Sequence, residues 1–137
     1  MAGFVHRERV RFGDLDAMRH VNNAVYLRYF ETARIAYLGG LLVHDPVAEA
    51  GTGFGLIFAE CHINYRSPVN FDEDLDVALT ISDVRRSSFR LNFEMRVGDR
   101  LCAEGYGVMV GFDYAGGRAA ALPDELRARV EAEATSA

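Results

Sequence analysis

Residues 11–34 read RFGDLDAMRHVNNAVYLRYFETAR, and the reading of this stretch decides the rest of the chain. Residues 4–12, FVHRERVRF, lead into it. Val10 and Phe12 share one parity and Arg9 and Arg11 the other, which predicts a strand ending at Phe12. Two acids, Asp14 and Asp16, and then His20 follow, before Asn22-Asn23 and a long apolar segment. An asparagine side chain accepts well from the orphan N–H groups of a first helical turn. The sequence therefore predicts a loop carrying Asp16 and His20, then a helix over 24–42. Tyr26, Phe30, Ala33, Tyr37 and Leu41 recur at helical spacing, with Leu27, Ile35 and Leu38 widening the apolar face. So wide a face suits a helix wrapped by sheet, and Gly39-Gly40 should fray or end it near its last turn. A carboxylate next to the free N–H groups of a helix start can attack a carbonyl while the N–H groups hold the developing oxyanion.

Beyond a loop at 43–53, marked by Pro46, Gly51 and Gly53, the chain alternates as strands do. Cys61, Ile63 and Tyr65 form one set, ended by Pro68. Leu75, Val77, Leu79 and Ile81 form a second, and Leu91, Phe93, Met95 and Val97 a third. After a Gly98-Asp99 turn, Cys102 to Val110 alternate with Ala103, Gly105, Gly107 and Met109, where small residues allow close approach of the long helix. A short helix starts at Pro123. One helix among runs of strands predicts an α+β domain with an antiparallel sheet.

The same residues carry a resemblance. Phe12, the D-x-D of Asp14 and Asp16, His20, Asn22, Asn23 and Tyr26, with the later YRSP at 65–68 and Asp74-Leu75, resemble the 4-hydroxybenzoyl-CoA thioesterase family of hotdog-fold proteins. The resemblance covers almost the whole chain and implies one hotdog domain over 1–137, an antiparallel sheet around one long helix. It implies an acyl-CoA thioesterase with Asp16 as nucleophile or general base and the Asn23 backbone N–H as oxyanion donor. His20 would orient the carboxylate or water, or protonate the thiolate. Without the resemblance, Asp16 reads first as a turn or capping aspartate, and Asp14 reads as structural, holding loop amides. The family's usual glycine before the histidine is Arg19 here. If that turn needs φ > 0, arginine forms it at a steric cost.

Arg85, Arg86 and Arg90 cluster around a turn and suit the phosphates of CoA. Tyr26 and Phe30 are candidates for the acyl pocket, against the plain alternative of core packing. The resemblance implies no metal and no cofactor, CoA being part of the substrate, and a homodimer or homotetramer with sites at the subunit interface. Other readings are a non-catalytic acyl-CoA-binding or scaffold protein on the same fold, and a hydratase, whose Asp/His constellation is absent from the sequence. A net charge of −5 argues against sequence-independent nucleic-acid binding. Two isolated cysteines make no zinc ribbon, and are expected to be reduced in a cytoplasmic protein. The N-terminus lacks an apolar signal region, and no run is long enough for a membrane span.

Overall fold

The computed structural model describes residues 3–41 and 53–136. The elements in order are β1 (Phe4–Arg9), a 3-10 turn (Phe12–Asp14), α1 (Asn23–Leu41), β2 (Phe54–Tyr65), β3 (Asp74–Ser82), β4 (Ser88–Val97), β5 (Arg100–Asp113), β6 (Arg118–Ala119) and α2 (Asp124–Ser136). Nearly all of the loop expected at 43–53 lies outside the described residues. The sheet runs β1-β3-β4-β5-β2, every pair antiparallel, with the short β6 on β5.

The alternation in β3 and β4 becomes a buried face: Leu75, Val77, Leu79, Leu91 and Met95 have no exposed surface and Ile81 and Phe93 almost none. Each such side chain contributes roughly 1.5–3 kcal/mol relative to exposure. Helix α1 lays Tyr26, Phe30, Ala33 and Tyr37 on this face, and Phe30 stacks on Phe93 at 4.5 Å between ring centroids. The small residues of β5 make room for it, as Gly107 packs under the rings of Phe30 and Phe58. Helix α2 closes the layer with Leu126 and Val130, and the Tyr37 hydroxyl donates to Glu133 at 2.6 Å.

One expectation changes. The first strand stops at Arg9, not Phe12, and Val10 and Phe12 do not share an environment: Val10 is buried and Phe12 is 79% exposed. The cause is Asp14, whose carboxylate accepts from the Arg11 N–H at 3.0 Å while its own N–H donates to the Arg11 carbonyl, curling the chain into the 3-10 turn. The helix expected over 24–42 is α1, which runs through Gly39-Gly40 to Leu41. A Cβ at Gly39 would meet nothing, so no close packing there requires glycine, and the pair costs only its intrinsic helix propensity.

The register fixes which parts of the chain share an end of the sheet. Arg9 lies opposite Asp74, Val97 opposite Arg100, and Tyr65 opposite Ala103 at one end. Ser82 opposite Arg90 and Phe54 opposite Asp113 mark the other. The loop with Asp16 belongs to the first end and Arg85-Arg86 to the second, about 26 Å apart along β3 at strand rise.

Candidate active site

The D-x-D loop is a small hairpin. Leu15 pairs with Val21 as an antiparallel bridge, the Asn22 N–H donates to the Asp14 carbonyl at 2.9 Å, and the Asp16 N–H donates to the His20 carbonyl at 3.0 Å. Its tip is closed by the Arg19 N–H donating to the Asp16 carbonyl, and Arg19 has φ 66°. The position where the family usually has glycine does require the left-handed region, and arginine occupies it. The far arm runs straight into α1. Asn22 is the cap: its Oδ1 accepts from the Ala24 N–H at 2.9 Å and its carbonyl from Val25 at 2.8 Å. Asn23 is the first helical residue, and its N–H meets no acceptor among the described residues.

Asp14 anchors this hairpin from below. It is 3% exposed and accepts from the Tyr29 hydroxyl at 2.6 Å as well as from Arg11. Burial alone would raise its pKa, but the Tyr29 hydroxyl, the Arg11 amide and the Arg11 charge outweigh burial and hold it below the ordinary carboxylate range. Burial and the same carboxylate push the Tyr29 phenol up, so it stays a donor. This is the structural role expected of Asp14, with one partner, Tyr29, that the sequence did not reveal; the i, i+15 separation has no local signature.

Asp16 is exposed and lines an open cleft of about 690 Å³ with Phe12, Leu15, Arg19, Asn70 and Phe71. Phe12 and Phe71 meet edge to face, 6.1 Å between centroids, and both are largely exposed. One oxygen of Asp16, Oδ1, accepts from the Met18 N–H at 2.8 Å, and the other is turned to no group among the described residues. His20 is exposed, and its ring meets no partner among the described residues. Tyr65, from the YRSP segment, donates its hydroxyl to the Asn23 carbonyl at 2.9 Å and packs edge-on against Tyr26, tying β2 to the helix start.

The other expected site residues lie elsewhere. Tyr26 and Phe30 are buried, 3% and 0% exposed, and neither lines the cleft; burial pushes the Tyr26 phenol up to about 12. Arg85 and Arg86 are exposed at the far end, without a carboxylate partner among the described residues. Arg90 is engaged, its guanidinium 3.9 Å from the Tyr106 ring centroid and 3.7 Å from Asp83. Among the described residues no group of three or more His, Cys, Asp and Glu could hold a metal ion, and no helix is long and apolar enough to cross a membrane. Sequence reasoning missed Phe12 and Phe71 as cleft walls, because an exposed aromatic in a loop has no periodic pattern to mark it.

Asp16 thus lies in a cleft on the loop that leads into the start of α1. The sequence profile of the Thioesterase-like superfamily matches residues 10–130. The chain belongs to this superfamily. It is 29% identical over 126 residues to the YsmA protein of Bacillus subtilis (strain 168), covering 89% of this chain and 81% of that one. A thioesterase of Thermus thermophilus, whose crystal structure holds coenzyme A and zinc, is 34% identical with a TM-score of 0.83, covering 96% of this chain and 93% of that one. The fold is also that of the BH1999 gentisyl-coenzyme A thioesterase, with a TM-score of 0.84 at 21% identity, covering 93% and 99%. This thioesterase-like chain therefore has the α+β hotdog fold, and thioesterases of the superfamily act without a cofactor, CoA being part of their substrate.

Proposed function

We propose that this chain is an acyl-CoA thioesterase, converting an acyl-CoA and water to a carboxylic acid and free CoA. The observation that carries the reading is the Asp16 carboxylate in an apolar-walled cleft, on the loop that ends at the unpaired Asn23 N–H of α1. The acyl carbonyl lies between them. The Asn23 amide, aided by the positive end of the helix, stabilises the oxyanion, a contribution of about 3 kcal/mol to the barrier. Asp16 has two routes. As nucleophile, its oxygen bonds the carbonyl carbon, the C–S bond breaks with its electron pair on sulfur, and water then hydrolyses the mixed anhydride. As general base, it takes a proton from the attacking water and the thiolate leaves. His20, across the hairpin, orients the carboxylate or water. Coenzyme A in the 34% identical Thermus thermophilus thioesterase supports the substrate class.

The test is Asp16→Asn, which keeps shape and removes charge. The kcat should fall at least ~10²-fold with KM nearly unchanged. A variant with wild-type kcat would reject Asp16. The alternative, an acyl-CoA-binding or scaffold protein, is favoured by the Met18 N–H on Asp16 Oδ1, the ordinary bond of a turn aspartate. Tight acyl-CoA binding with no hydrolysis of any thioester would establish it.

The site in this reading needs two copies of the chain. Arg85 and Arg86 would hold CoA phosphates, yet they sit at the opposite end of the sheet from Asp16. The outer edge of β2 has no strand partner among the described residues. Phe58 of β2 and Leu27 and Ile35 of α1 expose apolar surface. Two-fold antiparallel pairing of these edges covers them and brings the Phe54 end of one copy, with its Arg85 and Arg86, beside the Tyr65 end of the other. Arg90, stacked on Tyr106, would border that phosphate site. We assign the protein to the cytoplasm, where its two free cysteines are chemically at ease. Complementation tests the dimer. An Arg85→Ala/Arg86→Ala homodimer should be impaired at low acyl-CoA, and one with wild-type activity would place the arginines outside the site. Given that impairment, these chains mixed with Asp16→Asn chains form one intact site per heterodimer only if the arginines act across the interface, and activity should return to about half of wild type in heterodimers. No recovery would place the arginines and Asp16 in one chain's site.

A further inference from the structure

Arg19 is the residue in the cleft that the reaction does not use. Four arginines of β1, β5 and the segment after β2 are paired: Arg7 with Asp76 at 2.8 Å, Arg9 with Asp74 at 3.0 Å, Arg66 with Glu104 at 2.8 Å and Arg100 with Glu73 at 2.9 Å. Arg11 is paired with Asp14. Arg19 has no carboxylate within 4 Å among the described residues, Asp16 included, although its own amide donates to the Asp16 carbonyl. It also keeps φ 66°, a conformation that strains an arginine and would not strain a glycine. An unpaired guanidinium therefore shares a cleft with Phe12, Leu15 and Phe71, whose walls are apolar, and with Asn70.

We propose that Arg19 is a specificity-determining residue that selects acyl-CoA substrates whose acyl group has an apolar body ending in a second carboxylate. The proposal rests on the thioesterase reading and names its substrate class. The apolar stretch of the acyl group lies against Phe12, Leu15 and Phe71. The thioester carbonyl sits at Asp16, and the far carboxylate pairs with the Arg19 guanidinium as a two-pronged charge-assisted contact. Asn70 supplies a further polar contact on the same wall. The pair forms only with a ligand that reaches past Asp16, so chain length matters as well as charge. A cleft of about 690 Å³ accommodates such a group with room for part of the pantetheine arm.

The experiment compares two substrates of equal length, adipyl-CoA and hexanoyl-CoA, and the matching pantetheine thioesters, on wild type, Arg19→Gly and Arg19→Lys. Wild type is expected to favour adipyl-CoA by about fivefold or more in kcat/KM, an exposed-to-intermediate ion pair's worth. Arg19→Gly should lose that preference, read as the ratio of kcat/KM on the two substrates, Arg19→Lys should retain most of it, and the pantetheine thioesters should show the same pattern. If Arg19→Gly instead weakens both CoA thioesters alike and leaves the pantetheine thioesters untouched, Arg19 holds a CoA phosphate and the proposal is overturned. If wild type hydrolyses hexanoyl-CoA as well as adipyl-CoA, the proposal fails while the thioesterase reading stands. If no thioester is hydrolysed, the thioesterase reading fails. Equilibrium dialysis of adipyl- against hexanoyl-CoA then still decides Arg19: equal binding overturns it, and an adipyl preference lost in Arg19→Gly upholds it.

Discussion

Tyr29→Phe removes one oxygen and leaves the ring in place, and its effect can be worked out from the contacts around Asp14. The Tyr29 hydroxyl donates to Asp14 Oδ2 at 2.6 Å, and what remains is the Arg11 amide at 3.0 Å and a weak Arg11 Nε contact at 3.4 Å. Asp14 is 3% exposed, so water cannot replace the lost donor without opening the hairpin. A hydrogen bond to a buried charge contributes about 1.5–3 kcal/mol, which puts the loss near 2 kcal/mol. For a chain of this size that is a fall in Tm of roughly 6–10 °C. The sign with pH follows from Asp14's lowered pKa. A depressed carboxylate contributes stability that is complete above the unfolded value of about 3.9 and is lost as pH falls through the lower folded value. Tyr29 acts on the ionised form, so the gap between wild type and variant should be full at pH 5–7 and shrink below about 4. Urea unfolding at pH 7, 5 and 3 measures it. A gap under about 0.5 kcal/mol at pH 7, or one that stays constant to pH 3, would refute the claim that Tyr29 stabilises a charged Asp14. Because the Asp14 carbonyl also holds Asn22, kcat should fall with the same variant even where it remains folded.

Gly105→Ala should cost more than about 3 kcal/mol and show as lost soluble protein, since its Cβ would collide with the His62 backbone carbonyl of the neighbouring strand, which cannot step aside. Arg19→Gly should raise stability by about 0.5–1 kcal/mol, because relief of the left-handed backbone exceeds the extra unfolded-state freedom of glycine. A fall in Tm would show that the Arg19 side chain contributes contacts of its own.

The fold was legible where periodicity is long and unbroken. The parity of Leu75 to Ile81 and of Leu91 to Met95 named the buried face correctly, and Gly107 under Phe30 bore out the reading of small residues as room for the helix. The boundary that failed was set by a side-chain bond that no pattern displays. Arg9 ends β1 because Asp14 reaches back to the Arg11 amide.

The site divides along the same line. Residues joined by short loops were legible as a group: Asp14, Asp16, Arg19, His20 and Asn22 form one hairpin whose tip, closer and cap are within nine positions of each other. The cleft wall opposite comes from residues 70–71, which local spacing does not connect to residue 12. What joins them is the pairing of β1 with β3: the Val10 N–H donates to the Glu73 carbonyl at 2.9 Å and the Val21 N–H to the Val69 carbonyl at 2.9 Å, drawing residues 69–73 across the hairpin. The same pairing sends the β3–β4 turn, with Arg85 and Arg86, to the far end of the sheet. A sequence reading that gathers Asp16 and Arg85 into one site therefore contains a statement about assembly. Given antiparallel β1 and β3, one chain cannot present both to the same short stretch of ligand. Either the arginines act from a second copy, or they belong to the surface. The activity of the Arg85→Ala/Arg86→Ala homodimer, read beside that of the heterodimer, separates these outcomes without depending on which acyl group the cleft accepts.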